Sequence, residues 1–228
     1  MQVLFKNKIM RYTAAMPGRS YGQYCGFSRA LEIVGERWAL LIVRDLLVGP
    51  KRFSDLQRGL PRIPSNILTT RLKELEDDGI IQRRLLPRPS GAIVYELTGQ
   101  GRELEGPVIS LGRWGAKRLG EPRTDETVTE DSIASALLAT FRPEAAGRSN
   151  VSYELRLGQI TVNAQVRNRQ LRVGRGPLED ADLIIEAGPA IRALMAREIT
   201  ADEALRKKIL KVRGDKKLLT RFVELFRI

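Results

Sequence analysis

Four short stretches between Ser28 and Gly79 repeat apolar residues at three- and four-residue spacing, and a turn signal closes each one. That spacing puts the apolar groups on one face of a helix, so this part of the chain is confined to a cluster of short helices around a small core. The first helix runs from Ser28 to Val34 and stops at Gly35. The second covers about 36–48, with Trp38, Leu41, Ile42 and Leu46 on its apolar face, and Gly49-Pro50 ends it. The third covers about 53–59, with Phe53 and Leu56 turned inward. After the turn Leu60–Pro64, a fourth helix covers about 65–77, burying Leu68, Leu72 and Leu75 and stopping at Gly79.

Two β-like runs follow, Ile80–Leu86 and Ala92–Leu97, joined by Pro87-Arg88-Pro89-Ser90-Gly91, which reads as a hairpin. Thr98 is a candidate N-cap for a long helix of about 101–119, in which Pro107 either makes a kink or falls near a break between two segments. Short helices, a hairpin and a long helix make the order of a winged helix-turn-helix. The second half alternates differently. A helix at about 130–141 precedes strand-like runs at Val151–Leu157, Gln159–Val166, Gln170–Val173 and Asp182–Glu186. Helices at about 189–197 and 201–207, a strand near 209–213 and a helix at 215–227 complete it. The expected fold class is α+β: a three-helix core with a hairpin wing and a dimerisation helix, then a smaller α+β unit. The expected divisions are an extension at 1–20, a winged unit at 21–120, a linker at 121–129 and a second unit at 130–228.

Charge narrows the partners. Lys and Arg number 39 against 27 Asp and Glu, a net charge of +12. Residues 1–120 hold 20 basic and 11 acidic groups, and 121–228 hold 19 and 16, so most of the surplus lies in the first half. A polyanion is the expected partner, and composition alone leaves nucleic acid and anionic membrane both open. Arg-rich composition from a high-GC genome would raise the charge similarly. No apolar run approaches the ~18 residues of a membrane span, so no membrane partner is expected. A single cysteine, with no apolar signal-peptide core near the start, fits a cytoplasmic protein. With no histidine, no Ser-His-Asp or Cys-His set can be assembled, and zinc lacks ligands. Neither glycine-rich nucleotide motif occurs. No enzyme activity, cofactor or metal is expected.

The helical phase of 65–77 selects a reading face. With Leu68, Leu72 and Leu75 inward, Asn66, Thr69, Thr70 and Lys73 point outward, and Ser65 stands at the helix start. Short polar groups and one cation suit base edges in a major groove. Any amphipathic surface helix shows polar residues there too. Arg83, Arg84 and Arg88 cluster on the hairpin, where a tip arginine can enter the minor groove or hold a phosphate. Lys51 and Arg52 precede the third helix, and Arg58 and Arg62 flank the turn, each within reach of backbone phosphate.

Residues 25–104 resemble the HxlR-type regulators, relatives of the MarR-type winged helices. The resemblance rests on Cys25, Leu31, Gly35, Trp38, Leu41, Ile42, Leu46, Gly49, Arg52-Phe53, Leu56 and Ile63. It continues through Leu68, Arg71-Leu72, Leu75, Gly79, Arg83, Tyr95-Glu96-Leu97-Thr98 and Gly101. It implies a homodimer on a pseudo-palindromic operator of double-stranded DNA, dimerising through Ser28–Val34 and the 101–119 helix, including Ile109 and Trp114. The family commonly has Cys-Pro before the first helix, and here the pair is Cys25-Gly26. Some members use that cysteine as a redox sensor, so Cys25 is a candidate sensor, against an inert structural thiol.

Residues 130–228 resemble the sterol-carrier-protein type-2 fold more loosely, through Ala181–Ile185, Ile209–Asp215 and Leu218-Leu219, Phe222 and Leu225-Phe226. The resemblance implies an apolar tunnel, with Leu137, Phe141, Tyr153, Leu155, Met195, Leu219 and Phe222 as candidate lining for an apolar small-molecule effector. The plainer reading is that these groups fill a core. A lipid or acyl carrier, or a protein-interaction module whose winged helix reads no DNA, is the competing function.

Overall fold

The computed structural model describes residues 20–120, 123–188 and 190–228, so the extension expected at 1–20 lies outside the described residues except for Ser20. The N-terminal unit runs α1 (Gly26–Val34), α2 (Ala39–Leu47), α3 (Phe53–Gly59), α4 (Ser65–Asp77), β1 (Ile81–Leu85), β2 (Ile93–Leu97), α5 (Gly99–Arg102) and α6 (Glu105–Ala116). Ile42, Leu46, Leu56, Leu68, Leu72 and Leu75 meet in its core. β1 and β2 pair antiparallel, Ile81 opposite Leu97 and Leu85 opposite Ile93.

Glycine sets the junction between α4 and the hairpin. Gly79 has φ +71°, the left-handed region that ends a helix without a Cβ penalty, and the Ile80 N–H returns to the Leu75 carbonyl at 2.9 Å. Thr98 closes the other side. Its hydroxyl donates to the Gly79 carbonyl at 2.6 Å and accepts from the Gly101 N–H at 3.0 Å.

One expectation is corrected here and another is narrowed. The buried face of α2 is Ala39, Ile42, Val43 and Leu46, while Leu41 is 38% exposed. At 100° per residue, position 41 falls opposite that face. Of the two readings of 101–119, the broken helix holds: it is two segments, parted at Glu103-Leu104, three residues before Pro107. Pro107 is the third residue of α6, where its missing N–H has no intrahelical partner to lose.

The second unit runs α7 (Glu130–Thr140), α8 (Pro143–Ala146), β3 (Asn150–Leu157), β4 (Ile160–Arg167), β5 (Gln170–Arg175), β6 (Leu183–Ala187), α9 (Ala190–Met195), α10 (Ala201–Arg206), β7 (Leu210–Gly214) and α11 (Lys217–Leu225). Its sheet has the order β5-β4-β3-β6-β7, with only β3 and β6 parallel. Alternate residues Tyr153 and Leu155, Val162 and Ala164, and Leu183 and Ile185 turn to one face, where helices cover them.

All seven expected tunnel residues lie in this core. Leu137, Phe141, Tyr153, Leu155, Met195, Leu219 and Phe222 are each buried in one cluster. The Tyr153 and Phe222 rings meet edge-on at 5.2 Å, and Phe141 stands 5.7 Å from Phe226. Of the seven, only Phe141 borders either of the two surface concavities described.

The two units pack against each other. α7 lies on α2, α3 and α6. Arg113 of α6 donates to the Ala139 carbonyl and, at 3.1 Å, to that of Phe141, capping the end of α7. Within the expected linker, Arg62 holds Asp125 through its carbonyl at 2.7 Å and its carboxylate at 3.1 Å. Among the described residues, no helix is long and apolar enough to cross a membrane.

Candidate nucleic-acid interface

α4 starts directly after Pro64, whose extended backbone turns the chain into the helix. Its inward leucines leave Ser65, Asn66, Thr69, Thr70 and Lys73 together on the exposed side, as helical phase requires. Both threonine hydroxyls are oriented by the helix itself. Thr69 donates to the Ser65 carbonyl at 2.9 Å and Thr70 to the Asn66 carbonyl at 3.0 Å. Each hydroxyl then offers outward only its lone pairs, beside its methyl group, which suits a donor on a base edge or a thymine methyl. Lys73 has no acidic partner among the described residues.

The arginines divide into paired and unpaired. Arg62 is taken by Asp125, Arg83 by Glu76 at 2.9 Å, Arg84 by Glu96 at 2.8 Å and Arg58 by Asp55. The Gln82 amide and then the Arg84 guanidinium hold the Glu96 carboxyl below the ordinary range. Arg52 reaches the Ser90 hydroxyl at 3.0 Å, a neutral partner, and has no acidic side-chain partner among the described residues. Arg88, at the hairpin tip, is exposed and has no acidic partner among the described residues. Lys51 is a correction. It is 4% exposed, and its ammonium lies 2.7 Å from Asp131 of α7, so it does not face a phosphate.

Beside α4 lies a concavity of about 350 Å³ lined by Arg37, Trp38, Arg62, Pro64, Ile67 and Arg71. Arg37 and Arg71 were not expected to take part in binding. Positions 64, 67 and 71 share one helix stripe, a signal the spacing carries. Trp38 holds φ +82°, an uncommon left-handed conformation for a bulky residue, with the Arg37 guanidinium 5.1 Å above its ring.

Two further features flank the reader. α6 has no buried residue, and its Leu111 and Trp114 are more than half exposed, as is Phe27 on α1. Cys25 stands exposed at the N-cap of α1. Backbone N–H groups, of Ser28 first and then Phe27, hold its thiol below the ordinary value.

A helical core, an outward polar helix and a basic hairpin define a winged helix-turn-helix DNA reader. The HxlR-like helix-turn-helix family model matches residues 33–123. The HTH-type transcriptional regulator YtcD of Bacillus subtilis (strain 168) is 38% identical over 104 residues, 45% of this chain and 82% of the relative. YodB, another HTH-type transcriptional regulator of that organism, is 36% identical over 102 residues, 45% of this chain and 88% of the relative. A solved structure of reduced YodB aligns with a TM-score of 0.37 and 34% identity, covering 44% of this chain and 99% of that one. The chain belongs to the HxlR-like helix-turn-helix family of transcriptional regulators.

Proposed function

We propose that the chain binds a pseudo-palindromic operator as a homodimer, with α4 in the major groove and the β1–β2 wing on the flanking backbone. The observation that carries this reading is the joint exposure of Asn66, Thr69, Thr70 and Lys73 beside Arg88, which has no acidic partner among the described residues. Asn66 offers both amide and carbonyl to a base edge, and Lys73, Arg52 and Arg88 supply cations for phosphates. Ser65 sits where the helix meets the backbone. Arg62 and Arg84 join only by exchanging Asp125 and Glu96 for phosphate. The exposed apolar groups Phe27, Leu111 and Trp114 on α1 and α6 support a dimer through those helices. Binding to promoter fragments followed by fluorescence anisotropy tests the reading. Asn66→Ala is expected to narrow the gap between operator and random duplex, and Arg88→Ala to weaken both alike. Equal behaviour of the two variants counts against it.

The exposed, acidified thiol favours a second reading, in which Cys25 adds redox control. An oxidant such as diamide would take two electrons from two thiolates and join protomers through their Cys25 sulfurs. Diamide that releases wild-type protein from DNA but spares Cys25→Ser supports it, and equal release sinks it. For residues 130–228 the sterol-carrier-like reading rests on element order. An apolar effector would have to part side chains that already pack together. Mass spectrometry of native protein decides that point through the presence or absence of a bound apolar molecule.

A further inference from the structure

Asp131, in the first turn of α7, accepts from two buried or half-buried cations, one from each unit. Lys51 Nζ lies 2.7 Å from Asp131 Oδ1. Arg175, at the end of β5, donates from Nε to the same oxygen at 2.8 Å and from Nη2 to Oδ2. The Lys51 and Asp131 side chains are only 4% and 2% exposed. The interface closes over Gly59, where a Cβ would sit 2.9 Å from Asp131 Oδ2 and 2.8 Å from Asp45 Oδ2. Burial pushes the Lys51 amine down, and its bond to Asp131 opposes that shift. Without the Asp131 carboxylate, the ammonium would keep only the longer-range attraction of the buried Asp45 carboxylate, in a site sealed from water.

Lys51 also bonds to the outer edge of the hairpin. Its N–H donates to the Tyr95 carbonyl at 2.9 Å, and its carbonyl accepts from the Tyr95 N–H at 2.8 Å, as a third strand would. The next residue, Arg52, reaches Ser90 at the hairpin tip at 3.0 Å. Residues 51 and 52 therefore tie down the middle of β2 and the tip of the hairpin, and Asp131 anchors residue 51.

We infer that Asp131 is a positioning residue for the wing, which makes the C-terminal unit a working part of the DNA reader. A charge that loses its partner here must move toward water, and Lys51 cannot move far without carrying Tyr95 with it. The inference rests on the reading of β1–β2 as a DNA-contacting wing.

Hydrogen exchange on the full chain, without DNA, tests the tether. In Asp131→Asn, wing amides in 81–97 are expected to exchange at least ten-fold faster, with α4 amides within two-fold of wild type. The double variant Lys51→Met/Asp131→Leu, with an apolar pair in the same space, is expected to bring the wing back to within three-fold. A folded Asp131→Asn protein with an unchanged wing overturns the proposal, as does equal loosening of wing and α4. Should that variant not fold, the unmodified chain at rising denaturant decides. The Tyr95 amide is expected to open together with α7, and its opening while α7 stays protected overturns the tether. Duplex affinity is expected to fall about ten-fold in Asp131→Asn. A loosened wing with unchanged affinity refutes the wing's part in DNA binding, a failure of the parent reading that the DNA-free exchange separates from failure of the tether.

Discussion

Gly101 occupies a position with no room for a side chain. A Cβ there would lie 2.0 Å from the Ile80 carbonyl oxygen, and that carbonyl also accepts from Thr98 in the junction of hairpin and helix. Backbone cannot yield as a flexible side chain can. Gly101→Ala is expected to destabilise the fold by roughly 3 kcal/mol, read as a lower urea midpoint at unchanged slope; a change under half that would contradict the geometry. Cys25 makes a chemical prediction at the same scale. The ionised thiolate is favoured by the helix-start amides, so its alkylation by iodoacetamide is expected to show a pH midpoint below that of a free thiol in a peptide. A midpoint at or above the peptide value rules out an activated thiol.

At the scale of elements, α4 and the wing separate cations that are available from cations that are occupied. Lys73→Ala removes a charge with no acidic partner among the described residues and is expected to flatten the log–log salt dependence of duplex binding by about 0.9 for each phosphate it no longer neutralises. Arg62→Ala removes a charge already neutralised by Asp125, so its slope change should be distinctly smaller. The reverse order would mean that the internal ion pair opens on DNA. α7 depends on its cap. Thr129 accepts from the Ser132 N–H at 3.2 Å while the Ser132 hydroxyl accepts from the Thr129 N–H at 3.0 Å, and the adjacent Asp131 holds Lys51. Thr129→Ala is expected to cost about 1 kcal/mol of stability, measured by thermal unfolding. The faces of α4 were legible in spacing alone because a helix repeats every few residues and burial follows that repeat. On α2 the same logic put Leu41 inward, since several apolar residues in succession let neighbouring phases compete. Which arginines stay free was not legible, because Asp125 meets Arg62 from 63 residues away.

For the whole molecule, the packing of α7 on α2, α3 and α6 predicts one unfolding event. Both tryptophans, Trp38 and Trp114, lie in the winged unit, while the larger sheet lies in the other. Tryptophan fluorescence and far-ultraviolet circular dichroism should therefore give coincident urea transitions. Two midpoints would show that the units unfold separately. What the amino-acid order determined by itself is the succession of short helices, hairpin and second α+β unit, and the polar stripe Asn66, Thr69, Thr70 and Lys73. Those properties depend on residues within a turn or two of each other. Tertiary structure alone decided that Lys51 is buried against Asp131 and Arg175, that most hairpin and turn arginines are already paired, and that the expected tunnel residues fill a core. A charge in sequence carries no address for its partner. Only packing, which brings residues 51, 131 and 175 into one sealed interface, supplies it.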